Sequence, residues 1–169
     1  MKRKIYIKNS ILSIAQYLSS DAKADYDSWQ ETETQKSYNY KIKSDFTEFS
    51  SKKRNHRFYA AITLNDENQT LIGFVMLSPP DSPPDLAIRI KRAFQNNGYG
   101  SSAFALATDY CINKLGYDKI YAGCFETNII SRKMLIKCGY KPNPEGNTIE
   151  TNIYTGEKII QYDYVFEKL

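Results

Sequence analysis

The order of apolar and polar runs predicts a mixed α/β sheet with helices on its faces. Three observations carry that reading. Arg57–Leu64 and Thr70–Ser78 are strand-like runs joined by Asn65-Asp66-Glu67-Asn68-Gln69, a stretch of turn-forming residues. Tyr99–Leu115 places Ala103, Leu106, Ala107, Tyr110 and Cys111 at helical spacing. The last segment alternates apolar and polar residues, with Ile160, Tyr162, Tyr164 and Phe166 on one side. At 169 residues the chain reads as one domain, 1–169, able to bury a single substantial core.

In chain order, Lys4–Lys8 is a short strand with Ile5 and Ile7 on one face. Asn9 or Ser10 can cap a helix carrying Ile11, Leu12, Ile14, Ala15 and Leu18. Ser19–Asn39 is polar and reads as short helices and loops. A further helix runs from Ser44 or Asp45 to Lys53. The unbroken apolar run Thr70–Ser78 suits a central strand. Pro79-Pro80-Asp81-Ser82-Pro83-Pro84 forbids helix and central strand, so it is a stiff excursion before the strand Asp85–Ile90. Gly116 ends the long helix as a left-handed cap. Lys119–Phe125 is a buried strand, and Asn128–Lys137 a second helix with Ile130, Met134 and Cys138 inward and Gly139 as its stop. Thr148–Tyr154 and Lys158–Lys168 close the chain as a hairpin across Thr155-Gly156-Glu157. The sum is about seven strands.

Composition removes several classes of function. No run approaches the roughly 18 apolar residues of a membrane span, and the basic start Met1-Lys2-Arg3-Lys4 is not followed by a signal-peptide apolar region. The expected location is therefore cytoplasmic, with no membrane partner. Three cysteines, Cys111, Cys124 and Cys138, at long spacing beside a single histidine give neither a disulfide framework nor a metal site. Buried free thiols are expected. The net charge of +4 suits a small anionic ligand and is too weak to argue for nucleic acid. The densest basic run, Lys52–Arg57, reads as a solvated helix end with His56 exposed in it.

The stretch that carries chemistry is Ala93–Ser102. It follows the strand Leu86–Ile90, bears Gly98 and Gly100, and opens a helix. Free first-turn amides and the positive end of a helix dipole make such a junction an anion site. Arg89, Lys91 and Arg92 lie immediately upstream.

Gln95-x-x-Gly98-x-Gly100 at the start of the long helix, in this element order, resembles the Q/R-x-x-G-x-G/A loop of the GNAT superfamily of N-acetyltransferases. A second segment, Asn128 to Tyr140 with Ser131, Lys137 and Gly139 in place, is similar to the branch that acetylates ribosomal-protein N-termini (alanine or serine) and assorted small amines. Thr70-Leu71-Ile72-Gly73 and the closing hairpin fit that branch as well. The resemblance spans nearly the whole chain and is weakest over Ser19–Lys43.

The resemblance implies a sheet that splays between the fourth and fifth strands, acetyl-CoA as co-substrate, no metal, and transfer of the acetyl group to a primary amine by direct attack. The acceptor is a protein N-terminus or a small molecule. It implies that the pyrophosphate lies on the backbone of Gln95, Asn96, Asn97, Gly98, Tyr99, Gly100 and Ser101. The pantetheine arm pairs with Ile88, Arg89 and Ile90 and reaches Asn128 and Ser131. A strand amide near Ile90 faces the oxyanion. Glu126 and Asp85 are the two candidates for the base, and Trp29, Tyr38 and Phe125 the substrate-side aromatics. Many members carry a proton-donating tyrosine seven residues after the asparagine, and this chain has Leu135 there. That departure leaves a second reading open: a non-catalytic acyl-CoA-binding or partner-binding module on the same fold. The closing hairpin also offers an edge for a homodimer.

Overall fold

The computed structural model describes residues 3–168. The elements are β1 (Ile5–Lys8), β2 (Leu12–Gln16), α1 (Ala22–Gln30), α2 (Thr32–Ser37), α3 (Phe46–Ser51), β3 (Phe58–Leu64), β4 (Leu71–Leu77) and β5 (Leu86–Ile90). They continue with α4 (Tyr99–Asn113), β6 (Lys119–Phe125), α5 (Ile129–Lys137), β7 (Lys141–Pro142), β8 (Thr148–Thr151) and β9 (Lys158–Glu167). None of the helices among the described residues is long and apolar enough to cross a membrane.

The strands form two sheets. The first has five antiparallel strands in sequence order, β1 to β5. In the second, β9 lies between β6 on one side and β7 and β8 on the other. The two sheets meet at a single parallel bridge between Asp85 and Tyr121, at the head of β5, where the Tyr121 amide donates to the Pro84 carbonyl at 2.9 Å. Beyond that bridge β5 and β6 part. The splay expected between the fourth and fifth strands of the sequence reading is this opening, and the mixed α/β architecture is as expected.

The clearest correction is the first expected helix, Asn9 to Leu18, which is the strand β2. Leu12, Ser13, Ile14 and Ala15 are all buried, because β1 and β3 flank the strand and both of its faces are covered. A strand buried on both faces loses its polar alternation and mimics a buried helix. Asn9 does accept from the amides of Ile11 and Leu12 at 2.9 Å, but as the pivot of the β1–β2 hairpin. In β1 a bulge between Ile5 and Ile7 breaks the expected face. Ile5 is exposed, while Tyr6 packs edge-on against Phe58.

Helix α4 lies against β1, β2, β5 and β6 and so spans the splay. Its buried face is Ala103, Phe104, Ala107, Thr108, Cys111 and Ile112, rotated from the expected stripe towards Phe104. In α5 the core residue is Leu135, whereas Ile130 is 78% exposed. Ile129, Ile130, Met134, Leu135 and Ile136 leave that helix no polar face from which its orientation could be read.

Lys52 and Lys53 of the basic run are solvent-exposed as expected, but its arginines and histidine are partly spent inside the structure. The Arg54 guanidinium stacks over the Tyr17 ring at 4.1 Å and pairs with Asp25. Arg57 donates to the carbonyls of Pro80 and Ser82 and holds the proline excursion against β3. His56 is half-buried, edge-on to Tyr59. Cys111 and Cys124 are buried and Cys138 half-buried, all as free thiols.

Candidate active site

Strand β5 is one wall of the splay. The Ser78 amide donates to the Asp85 carbonyl at 2.9 Å, and the Lys91 amide to the Ile72 carbonyl at 2.8 Å. Hydrogen-bonded and outward positions alternate along an antiparallel strand. Asp85, Ala87 and Arg89 therefore turn their backbone groups to β4, and Leu86, Ile88 and Ile90 turn theirs into the splay. Two side chains confirm the direction. The Tyr38 hydroxyl donates to the Ile88 carbonyl at 2.6 Å, and the Gln95 amide to the Ile90 carbonyl at 2.8 Å. The Ile88 and Ile90 N–H groups face the opening with no strand opposite.

The opening is a cleft of about 350 Å³. Ile88, Leu86 and Asp85 line it from β5, Ala122, Gly123, Cys124 and Phe125 from β6, and Asn128, Ser131, Met134 and Leu135 from the start and body of α5. Phe104, Ser37, Tyr38, Glu150 and Gln161 complete the lining. The Gln161 side chain lies directly over Gly123. A Cβ on it would come within 2.6 Å of the Gln161 amide nitrogen.

At the far end of β5 the chain turns into the glycine loop. Asn96 and Gly98 are both left-handed, with φ of 62° and 77°, and Gly98 is the residue before α4. No side chain caps that helix, and the first helical bond is from Ser102 to the Gly98 carbonyl. The amides of Tyr99, Gly100 and Ser101 thus belong to the unsatisfied first turn. Gln95, Asn96 and Arg92 line a second hollow, of about 550 Å³, beside this loop, together with Glu31, Thr32 and Glu33.

Arg89 departs from its expected place. Its backbone is engaged with β4, and its guanidinium reaches the other face of the sheet, where it pairs with the fully buried Asp25 of α1. Asp25 also binds Arg54 at 2.7 Å and accepts from the Tyr59 hydroxyl at 2.9 Å. The Arg89 guanidinium lies over the Trp29 ring at 3.9 Å. Trp29 is therefore a structural neighbour of Tyr38, with ring centroids 5.1 Å apart, and does not line the cleft. This network clamps α1 onto the strand that forms the cleft wall. Asp25→Ala is expected to cost about 3–5 kcal/mol, since it strands the Arg89 charge in the interior. Chemical denaturation checks this, and a loss under about 1 kcal/mol contradicts it.

The two carboxylates singled out in the sequence are not equivalent. The Glu126 carboxylate accepts from the Ile160 amide at 2.9 Å, and the Glu126 amide donates to the Ile160 carbonyl at 2.9 Å. Glu126 closes the end of the β6–β9 ladder and lies off the cleft lining. Asp85 lines the cleft. Burial, reinforced by the nearby Asp163 carboxylate, raises its pKa to about 7. Asn128 lines the cleft too, with its side-chain oxygen capping α5 through the Ser131 amide at 3.1 Å and its NH₂ turned elsewhere. Leu135 is 2% exposed and apolar, so α5 offers no phenol here. The Tyr140 hydroxyl is bound to Thr108 in the core. Burial pushes the Tyr38 phenol up to about 12. Glu150 and Gln161 escaped the sequence reading. They face the cleft only because of the β8–β9 register, which opposes Thr148 to Gln161 and Glu150 to Ile159.

Residues 11–141 match the family described as the acetyltransferase (GNAT) domain. No curated protein matches the sequence. Among solved structures, a GNAT-family acetyltransferase from Bacillus anthracis superposes with a TM-score of 0.77 at 19% identity, over 95% of this chain and 97% of that one. Spermidine N-acetyltransferase from Vibrio cholerae, described in complex with CoA and spermine, gives 0.81 at 18% identity, over 94% and 96%. RimL, the ribosomal L7/L12 alpha-N-protein acetyltransferase, described in complex with coenzyme A, gives 0.75 at 10% identity, over 97% and 98%. Identities this low establish a shared fold.

Proposed function

Because this chain belongs to the GNAT family of acetyltransferases, we propose that it moves an acetyl group from acetyl-CoA to a primary amine by direct attack in a ternary complex. The observation that carries the proposal is the cleft itself. One wall offers the Ile88 and Ile90 amides, and Asp85, the cleft carboxylate with a pKa near 7, stands at its closed end. Neighbours of the same fold are named for spermidine and for a ribosomal-protein α-amine, and both acceptors are amines.

Acetyl-CoA supplies the activated acetyl group as a thioester. The amides of Tyr99, Gly100 and Ser101 at the head of α4, with the loop from Gln95 to Gly98, hold its pyrophosphate. Ile88 and Ile90 add its pantetheine arm to the open edge of β5, while the Asn128 NH₂ and Ser131 meet it from α5. Asp85 takes the proton from the attacking amine, so that a neutral nitrogen reaches the carbonyl carbon. The Ile90 amide donates to the carbonyl oxygen as that oxygen gains charge. The C–N bond forms, the C–S bond breaks, and coenzyme A departs as a thiolate that then picks up, through solvent, the second proton the nitrogen sheds as it becomes an amide. No α5 phenol protonates the thiolate, which a thiol of pKa near ~8.5 tolerates.

The direct test is acetyl-CoA turnover over a panel of amines, with binding followed by calorimetry. Binding with turnover is the expected result. Binding without turnover of any amine would leave the cleft as an acyl-CoA-binding module, a reading that Leu135 favours. No binding by the folded protein sinks both.

A further inference from the structure

The acceptor half of the cleft carries a charge imbalance. Its lining contains the carboxylates of Asp85 and Glu150 and, among the described residues, no lysine, arginine or histidine. Asp163 lies close enough to Asp85 to raise its pKa. None of these three acids takes part in an ion pair among the described residues. Glu150 has only the Asn39 amide, at 3.3 Å, and Asp163 the Asn143 amide, at 2.6 Å. The protein as a whole is cationic, at +4, so these acids do not reflect a generally acidic surface. A concave site concentrates the field of uncompensated charges.

The acids are also spaced in order. Gly123 opposes Asp163, and Phe125 opposes Gln161, along β6 and β9. Asp163, Gln161 and Ile159 follow at every second residue of β9 and face one way, with Glu150 across from Ile159. From Asp163 to the Glu150 level is four residues, about 13 Å along the strand. Asp85, at the β5–β6 bridge, thus stands at the closed end with Asp163 behind it, off the lining, and Glu150 lies towards the open end. Tyr38 and Phe125 contribute aromatic faces between them, surfaces that accept alkylammonium groups.

We propose that the acceptor is a polycationic alkylamine, a diamine or longer polyamine, whose reacting nitrogen lies by Asp85 while Glu150 holds a second ammonium. This rests on the transferase reading above and specifies its substrate class. A terminal α-amine of a protein, which need bring no second charge, fits the imbalance less well.

Initial rates with acetyl-CoA are compared for butylamine, putrescine, spermidine and a short peptide with a free α-amine. The expected result is that kcat/KM for putrescine or spermidine exceeds that for butylamine by at least about tenfold, a preference that shrinks with added salt. Glu150→Gln collapses the preference towards one, and Glu150→Lys drives it below one, with unchanged melting temperatures showing that both variants fold. Equal rates for butylamine and the polyamines, or a peptide preferred over all of them, overturn the class while leaving the transferase intact. Acetyl-CoA binding without turnover of any amine overturns the underlying reading instead.

Discussion

Asp85→Asn lowers kcat/KM by about 10²–10⁴-fold, the range a positioned general base supplies. The pH profile identifies the role. Asp85 serves as a base only when ionised, and burial beside Asp163 holds its pKa at about 7. In the unaltered protein kcat/KM therefore climbs about tenfold per pH unit up to about 7 and then loses that limb. The limb disappears in Asp85→Asn. Profiles of equal shape in the two proteins would sink the assignment and return attention to Glu126. Stability moves the opposite way. A carboxyl whose folded pKa is raised favours the folded state most below its unfolded pKa, near ~3.9, and that contribution is lost as pH rises through the folded value. Ionised Asp85 is thus a burden at pH 8. Asp85→Asn should melt a few degrees higher than the unaltered protein at pH 8, with the gap narrowing towards pH 5.

Gly98→Val weakens acetyl-CoA binding by about 100-fold or more in calorimetry. Nothing lies within 4 Å of a Cβ at this position, so a clash is not the cause. The backbone is, at φ +77° immediately before α4. A β-branched residue there costs about 1–3 kcal/mol and relaxes by leaving the left-handed region, which turns the Tyr99–Ser101 amides away from a common point. Gly98→Asn is the control, because asparagine tolerates this conformation and Asn96 already adopts it two residues earlier, at φ 62°. It should keep most of the affinity. Gly100→Val acts by a different route. Its Cβ would rest 3.8 Å from Ile90 and from Met134, and its methyl groups would extend into the space between them. Each variant should leave the acceptor side of the cleft intact. Wild-type affinity in Gly98→Val would remove the loop from the cofactor site.

The sequence by itself determined the glycine loop and its neighbours. A strand, Gln95-x-x-Gly98-x-Gly100 and a helix start are contiguous, so local chemistry fixes where the unsatisfied amides are, and the two motifs fix the family. It also placed Asp85 at a strand start and Asn128 at a helix cap, both local features. Tertiary structure decided everything that depends on pairing. Strand β2 was hidden because burial on both faces erases the period of two. Asp85 and Glu126 were indistinguishable as acids until the β6–β9 ladder occupied Glu126 with the Ile160 amide and the β5–β6 bridge buried Asp85. Arg89 read as a cofactor partner until strand parity turned its backbone to β4 and its side chain to Asp25. Glu150 carried no signal at all, because the β8–β9 register, absent from any local pattern, is what aims it into the cleft.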